Sequence, residues 1–332
     1  MKIIRIYAGS AMSTIPTTSN KVRVPYTIVG EKRTDKSLLL SPVLSILVLN
    51  RGGRPFKAEY LKELGKLGPL EILSVEGASP GYDIEALTGR FPGVRFLLFQ
   101  SDVSIGEQIN IGMKEASGRN VLVIWNDMKP GYVLSRKFLK SVEEADVLCQ
   151  VPVLQNNRLE TIPSIKAPAF YRKKLKVLSL MPSANMMETL YPFDYTGIYQ
   201  KKKFFLTGGY DHTITSSYWQ KMDFGFRAHM WGERIVCSTA LKVSYLGKEG
   251  AEDTTPDESY RLFYLKNLSL RYTGDAAALS PWRFVQFFLR SGSPFFIALK
   301  DFRNVRKWVS INKYRFVCDA LSITDLWEIK GE

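Results

Sequence analysis

The sequence predicts an α/β protein: a mostly parallel sheet covered by helices on both faces, followed by a helical C-terminal extension. Three observations carry this. Short, continuous apolar runs alternate with amphipathic stretches between residues 45 and 125, and strands buried on both faces read as such runs. Of the 332 residues 45% are hydrophobic, enough for a sizeable core. From about Glu252 onward the runs give way to basic, aromatic, helix-like sequence.

Residues 1–40 form a polar, basic leader in which TSNKVRVPYTIVGEKR reads as one or two short strands. SILVLN (45–50) is a buried strand. RPFKAEYLKELGKLG places Phe56, Tyr60, Leu61, Leu64 and Leu67 at helical spacing, and Gly68-Pro69 stops the helix. LEILSVEG is a second strand, DIEALTGRFPG a short helix and turn, VRFLLFQ a third strand, SIGEQINIGMKEASG a helix and NVLVIW a fourth strand. Thereafter VLSRKFLKSVEEA reads as a helix, DVLCQVPVLQ as a strand, and YRKKLKVLSLMPSANMMETL as basic and then helical. YTGIYQKKKFFLTGGYD reads as a strand entering a Gly-Gly turn, and YWQKMDFGFRAHMWGERIVC as a helix followed by a strand. The domain reading is an N-terminal extension (1–40), an α/β domain (41–250) and a helical extension (251–332).

Composition narrows the function classes. Cys149, Cys237 and Cys318 lie far apart with no CxxC spacing, and His212 and His229 are the two histidines, so neither a zinc site nor a disulfide scaffold is expected. The start, MKIIRIYAGSAMSTIP, lacks the apolar core of a signal peptide, and LLLSPVLSILVL is broken and too short to span a bilayer. A cytoplasmic protein is the expectation. A net charge of +14 favours an anionic partner without choosing one.

Asn126 and Asp127 follow the fourth strand. Asn and Asp favour turns, and Pro130-Gly131 completes one. Open α/β sheets also bind ligands beyond the carboxyl ends of their strands, so the pair reads either as a turn or as a ligand site.

Taken together, SILVLN, SVEGAS, EQINIGMKEASG, VLVIWNDM and DYTGIYQKKKFFLTGGYD…YWQKMDFGFRAHMWGERI resemble the family 2 inverting nucleotide-sugar glycosyltransferases of the GT-A fold, over roughly residues 43–246. The resemblance implies an α/β/α sandwich, a UDP-sugar donor, a glycan or lipid-linked acceptor and a role in cell-envelope polysaccharide synthesis. It places Asn50 and Arg51 on the nucleotide side of the pocket. Glu76 falls where an acidic residue reads the uracil, and Asn110 lies near the strand end or the ribose. The Asp-x-Asp motif, which holds Mg²⁺ or Mn²⁺ against the diphosphate, falls with its first Asp on Trp125 and its last on Asp127, or, after sliding by one residue, with Asn126 in the first place. One acid of that motif is missing and Asp127 remains.

A second departure concerns the general base that inverting transfer requires. The usual acidic pair falls on Gln220 and Lys221, leaving Asp223, or Asp211 in GGYD, as the candidate catalytic carboxylate. Asp223 equally reads as a helix acid paired with Arg227 at i+4. The alternatives are a catalytically inactive GT-A-like nucleotide- or glycan-binding protein and, with less support, a sugar-phosphate nucleotidyltransferase. No motif supports nucleic-acid binding. Residues 281–316 hold ten aromatic and eight basic residues against one acid. They suit a helical hairpin packed on the domain or, as an added role, peripheral contact with an anionic membrane at the inner face.

Overall fold

The computed structural model describes residues 5–6, 24–31, 43–51, 57–68, 70–77, 81, 83–131, 135–171 and 174–327. Most of the leader, and Phe56 and Pro69 at the ends of the first helix, lie outside them. In chain order the elements begin with β1 (Arg5–Ile6), β2 (Tyr26–Val29), β3 (Leu44–Leu49), α1 (Lys57–Gly65) and β4 (Glu71–Glu76). Next come α2 (Ile84–Arg90), β5 (Val94–Phe99), α3 (Ile105–Glu115), β6 (Asn120–Trp125), β7 (Met128–Pro130) and α4 (Arg136–Glu144). The third stretch holds β8 (Cys149–Gln155), β9 (Ile165–Tyr171), β10 (Lys174–Leu180), β11 (Gly197–Gln200), α5 (Lys201–Leu206), α6 (Ser217–Met230) and β12 (Ile235–Tyr245). The chain closes with α7 (Glu258–Phe263), β13 (Arg271–Thr273), β14 (Ala276–Ala278), α8 (Arg283–Ser291), α9 (Phe295–Asn312) and α10 (Ala320–Asp325).

Ten strands form one sheet in the order β1-β2-β5-β4-β3-β6-β11-β8-β12-β7. Its heart, β5-β4-β3-β6, is parallel, as the alternating apolar runs require, while β2 and β11 flank it antiparallel. Every residue of β3 and β6 is buried. The chain runs outward from β3 through β4 to β5, then α3 carries it back to β6 on the other side of β3. β3 and β6 therefore form the switch point of the sheet, where open α/β folds leave a ligand crevice. Their register pairs Leu49 with Trp125, so Asn50-Arg51 and Asn126-Asp127 emerge side by side.

Helix α3 starts on a Ser104 cap and packs so close to β3 that a Cβ on Gly112 would sit 2.4 Å from the Leu47 side chain. Helix α6 is buried along almost its whole length. A Cβ on Gly225 would meet the Leu190 carbonyl at 2.2 Å, so glycine is required for that approach. One apolar cluster fills the sheet, and a second joins α6 to α7–α10.

Three elements differ from the expectation. Residues 174–180, read as basic and then helical, form β10, which pairs antiparallel with β9 along its whole length. Lys-Leu-Lys-Val alternates with period two, and Leu175 and Val177 pack against the second core, which makes a strand the better solution. The Lys201–Leu206 segment is a helix between strand and Gly-Gly turn rather than a direct entry. The C-terminal region contains the β13–β14 hairpin besides helices, its turn carried by Gly274 at φ 65°.

Candidate functional site

The carboxyl ends of β3, β4 and β6 bring Asn50, Arg51, Glu76, Asn126 and Asp127 to one sheet edge. Glu76 turns inward. Its Oε1 lies 3.1 Å from the Lys57 ammonium and accepts from Ser74 at 2.7 Å, while Oε2 accepts from the Asn50 amide at 2.6 Å. Lys57 also donates to Asn50 Oδ1 at 2.7 Å. Burial pulls the Lys57 ammonium below its usual range, and Glu76 works against that shift. Glu76, expected to face a base, thus lies at 2% exposure inside an ion pair that fixes the β3–α1 corner.

Asn126 ties the switch point. Its backbone N–H donates to Leu49 O at 2.9 Å and its Oδ1 accepts the Arg51 N–H at 3.1 Å. Asn126 thus closes a turn, and Asp127 is placed beside Arg51. The Arg51 guanidinium stacks 4.0 Å over the Trp125 ring, with Nε 3.3 Å from Asp127 Oδ2, and its outer nitrogen bonds Asp194 Oδ2. Asp194 lies in the Phe193–Tyr195 turn at φ 53°, with Tyr195 also left-handed at 60°. Two bonds hold that strained turn: the Trp125 indole donates to Asp194 O at 2.8 Å, and Tyr245 O–H donates to Asp194 Oδ2 at 2.9 Å. Pairing of Tyr245 with Met128 brings the end of β12 here, and Leu246 N–H donates to Asp127 O at 2.8 Å.

A divalent cation needs several oxygens around one point. Asp127 and Asp194 both direct an oxygen at the Arg51 guanidinium, and the described residues contain no group of three His, Cys, Asp or Glu side chains suited to a metal. These donors do not fit a resident metal.

Asn110 grips the Gly-Gly turn. It donates to Tyr210 O at 2.8 Å and accepts from Tyr210 N–H at 2.9 Å. Gly209, at φ 66°, leaves room for this clamp, since a Cβ there would lie 2.5 Å from Asn110 Oδ1. Asn110 also donates to Glu107 Oε2 at 2.8 Å, so its amide is committed within the protein.

Asp211 and Asp223 share a buried network with Lys266 and Arg227. Lys266 Nζ lies 2.5 Å from Asp211 Oδ2 and 3.1 Å from Asp223 Oδ1. Arg227 pairs with Asp223 at 2.9 Å, one turn along α6, and donates to Thr207 O and Gly209 O at 2.5 and 2.8 Å. Asn267 donates to Asp223 Oδ1 at 2.9 Å. Burial pushes the Asp211 carboxyl up, but the Lys266 ammonium and two bonds from Thr213 outweigh it and bring the value down to about 2. Asp223 has no exposed surface, so the arrangement found is the i+4 pairing with Arg227.

The surroundings of Gln220 explain an amide at this position. Oε1 accepts from Gly106 N–H and Tyr195 O–H at 2.9 and 3.0 Å, while Nε2 donates to Asp211 O and Ile214 O, each at 2.9 Å. A carboxylate could accept the first pair but would face the two carbonyls without a proton.

Lys221 points to a residue that sequence reasoning did not single out. Its ammonium lies 2.5 Å from Glu252 Oε1, while Lys166 reaches Oε2 at 3.6 Å and Tyr191 O–H donates to Oε2 at 2.9 Å. Asp194, Tyr245, Lys166 and Glu252 were all missed. Asp194 and Glu252 sit in irregular segments, and no local pattern marks them.

No family model matches the chain, and no curated protein matches it. Among solved structures it is similar to GalNAc-T7 crystallised with UDP, GalNAc and Mn²⁺, at 11% identity and a TM-score of 0.57 over 85% of this chain and 56% of that one. It is also similar to S. aureus TarS, at 14% identity and a TM-score of 0.48 over 67% of this chain and 38% of that one. Residues 1–349 of TarS in complex with UDP-GlcNAc give 13% identity and a TM-score of 0.46 over 78% and 70%. The chain thus spans about half or less of the first two neighbours. The fold is that of the GT-A glycosyltransferases.

The buried network predicts an acid signature. The Asp211 carboxyl titrates below its ordinary 3.8 in the folded state, so its stabilisation is complete above about pH 4 and is lost as pH falls toward 2. Urea unfolding of Asp211→Asn should show lower stability at pH 7 and a shallower decline between pH 4 and 2 than the parent. Equal declines in both proteins would mean that the carboxylate is not ion-paired.

Proposed function

We propose that this protein is a glycosyltransferase that takes a sugar from a nucleotide-diphosphate donor, a UDP-sugar, and transfers it with inversion to a glycan or lipid-linked acceptor. The observation that carries the reading is the convergence of Asn50, Arg51, Asp127 and Asp194 at the switch point of a GT-A sheet. GalNAc-T7, similar in fold, was crystallised with UDP and GalNAc, which supports a uridine donor. Arg51 is the phosphate-seeking group: a planar guanidinium on an aromatic face, partly exposed, can exchange one carboxylate for a phosphate oxygen. The donor set supports phosphate binding through side-chain cations rather than a resident metal, with Asp127 orienting Arg51.

A second reading, a nucleotide- or glycan-binding protein without transfer, is favoured by one specific observation. Both candidate bases, Asp211 and Asp223, are locked to Lys266 and Arg227 with at most 1% exposure, whereas a base must reach the acceptor hydroxyl. Single-turnover transfer from UDP-sugars separates the two readings.

Thermal shift against uridine, guanosine and adenosine diphosphates tests the shared element. Uridine diphosphate should raise Tm, and Arg51→Ala should weaken its binding by about 1–3 kcal/mol through loss of a charge-assisted bond. No response to any nucleotide, or an unchanged response in Arg51→Ala, would contradict the site.

The partner reading extends to anionic lipid. On α8 the inward face packs Phe284 against Phe302 and buries Phe287, while the outward face leaves Trp282 at 85% and Leu289 at 76% exposure, with Phe296 of α9 at 81%. Lys300, Arg303, Arg306 and Lys307 are exposed along α9. Apolar wedges beside a row of cations match a negatively charged bilayer surface. No helix of the described residues is long and apolar enough to cross a membrane, so the contact proposed is peripheral. The intact protein should co-sediment with phosphatidylglycerol vesicles at low salt, and a variant with Trp282, Leu289 and Phe296 changed to Ser should not. Equal recovery of both in the supernatant would leave these helices a packing role alone.

A further inference from the structure

Lys166 on β9 and Lys221 on α6 both reach Glu252, and they are nearly buried. Lys221 stands 5.7 and 5.3 Å from the Phe193 and Tyr195 rings, and Lys166 stands 4.3 Å from Phe193. Lys166 has one further side-chain bond, to Ser179 Oγ at 2.8 Å. Among the described residues no other carboxylate comes within ion-pair distance of either ammonium, so two cations share one anion. Burial lowers Lys166 from its ordinary range and Lys221 adds to that, with Glu252 opposing.

The same turn joins this cluster to the nucleotide edge. Phe193 lies under both ammoniums, and the next residue, Asp194, is bonded by Arg51. At the nucleotide edge Arg51 is already engaged by two carboxylates, Asp127 and Asp194, with which an incoming diphosphate must compete.

Glu252 belongs to residues 246–257, an irregular segment between β12 and α7. Residues 248–251 and 253–257 are exposed, while Glu252 reaches inward. The segment is fastened at Leu246 on Asp127 O, at Glu252, and at Thr255, whose carbonyl accepts from the Trp219 indole at 2.9 Å. It passes over Arg51, since a Cβ on Gly250 would stand 3.1 Å from the guanidinium. The middle fastening is therefore a carboxylate occupying a pair of cations beside the nucleotide edge.

We propose that Lys166 and Lys221 form a phosphate-binding subsite which Glu252 fills in the free protein, and that a phosphate-bearing ligand displaces this carboxylate and releases the middle of the 246–257 segment. The inference rests on the nucleotide-sugar reading for its biological ligand but not for its chemistry. The phosphate belongs either to the donor's diphosphate or to a phosphorylated acceptor. No bond is made or broken; one anion exchanges for another on two ammoniums.

The test is calorimetric titration of the full chain with inorganic pyrophosphate in the presence of a chelator. Removing the competing charge in Glu252→Gln, which keeps an acceptor for Tyr191 O–H, should tighten pyrophosphate binding by about tenfold. The double change Lys166→Met and Lys221→Met should abolish it. In the parent protein, pyrophosphate should also speed trypsin cleavage after Lys248, which keeps the test informative if a variant folds poorly. Competition by uridine diphosphate assigns the subsite to the donor, whereas inorganic phosphate bound alongside uridine diphosphate assigns it to the acceptor. Unchanged or weaker pyrophosphate binding in Glu252→Gln, or cleavage after Lys248 that ignores pyrophosphate, would overturn the proposal. Pyrophosphate binding with the expected variant pattern but no nucleotide binding would sink the donor reading and leave the subsite standing.

Discussion

Arg51 held between Asp127 and Asp194 is the constraint on which the rest of the candidate site depends. Asp127 ends the run begun by β6, and Asp194 lies 67 residues further on in a turn whose left-handed backbone needs outside support. One guanidinium joins the two, while Trp125 beneath it supplies both a stacking face and an indole bond to Asp194 O. An ammonium in this place could neither stack as a plane nor bond two carboxylates in a fixed fork.

Asp211 and Asp223, the candidate bases, lie in a buried four-charge anchor. Asp211, Asp223, Arg227 and Lys266 tie α6, the Gly-Gly turn and the segment before β13 into one buried unit. Charges buried this completely persist because each is paired and hydrogen-bonded, and removing one partner typically costs about 3–5 kcal/mol. This anchor also holds the C-terminal helices to the sheet domain, as Lys266 sits 4.8 Å over the Trp308 ring of α9.

How much of this was legible in the sequence depended on range. The strands of the sheet heart were readable because each is a continuous apolar run, and their parallel order followed from the helices between them. The Arg51–Asp127 edge was readable for the same reason: residues that end neighbouring parallel strands must emerge together. The substitutions at Gln220 and Lys221 were visible, yet their reason was not, since an amide that must accept two bonds and donate two is recognisable only once Gly106, Tyr195, Asp211 and Ile214 surround it. Asp194 and Glu252 carry no local mark, because their positions follow from a left-handed turn and an irregular segment. Lys174–Leu180 shows the reverse case, where an alternation present in the sequence was outweighed by its lysines.

On the proposed reading, side-chain cations, Arg51 first and Lys166 and Lys221 beside it, meet an incoming diphosphate. The most direct measurement is a calorimetric titration of the intact protein with uridine diphosphate, once with a chelator and once with Mn²⁺. Binding should persist in the chelator with an affinity within about threefold of that with Mn²⁺, a difference under 1 kcal/mol. Binding that occurs with Mn²⁺ and vanishes in the chelator would contradict it and return the diphosphate to a metal held by Asp127.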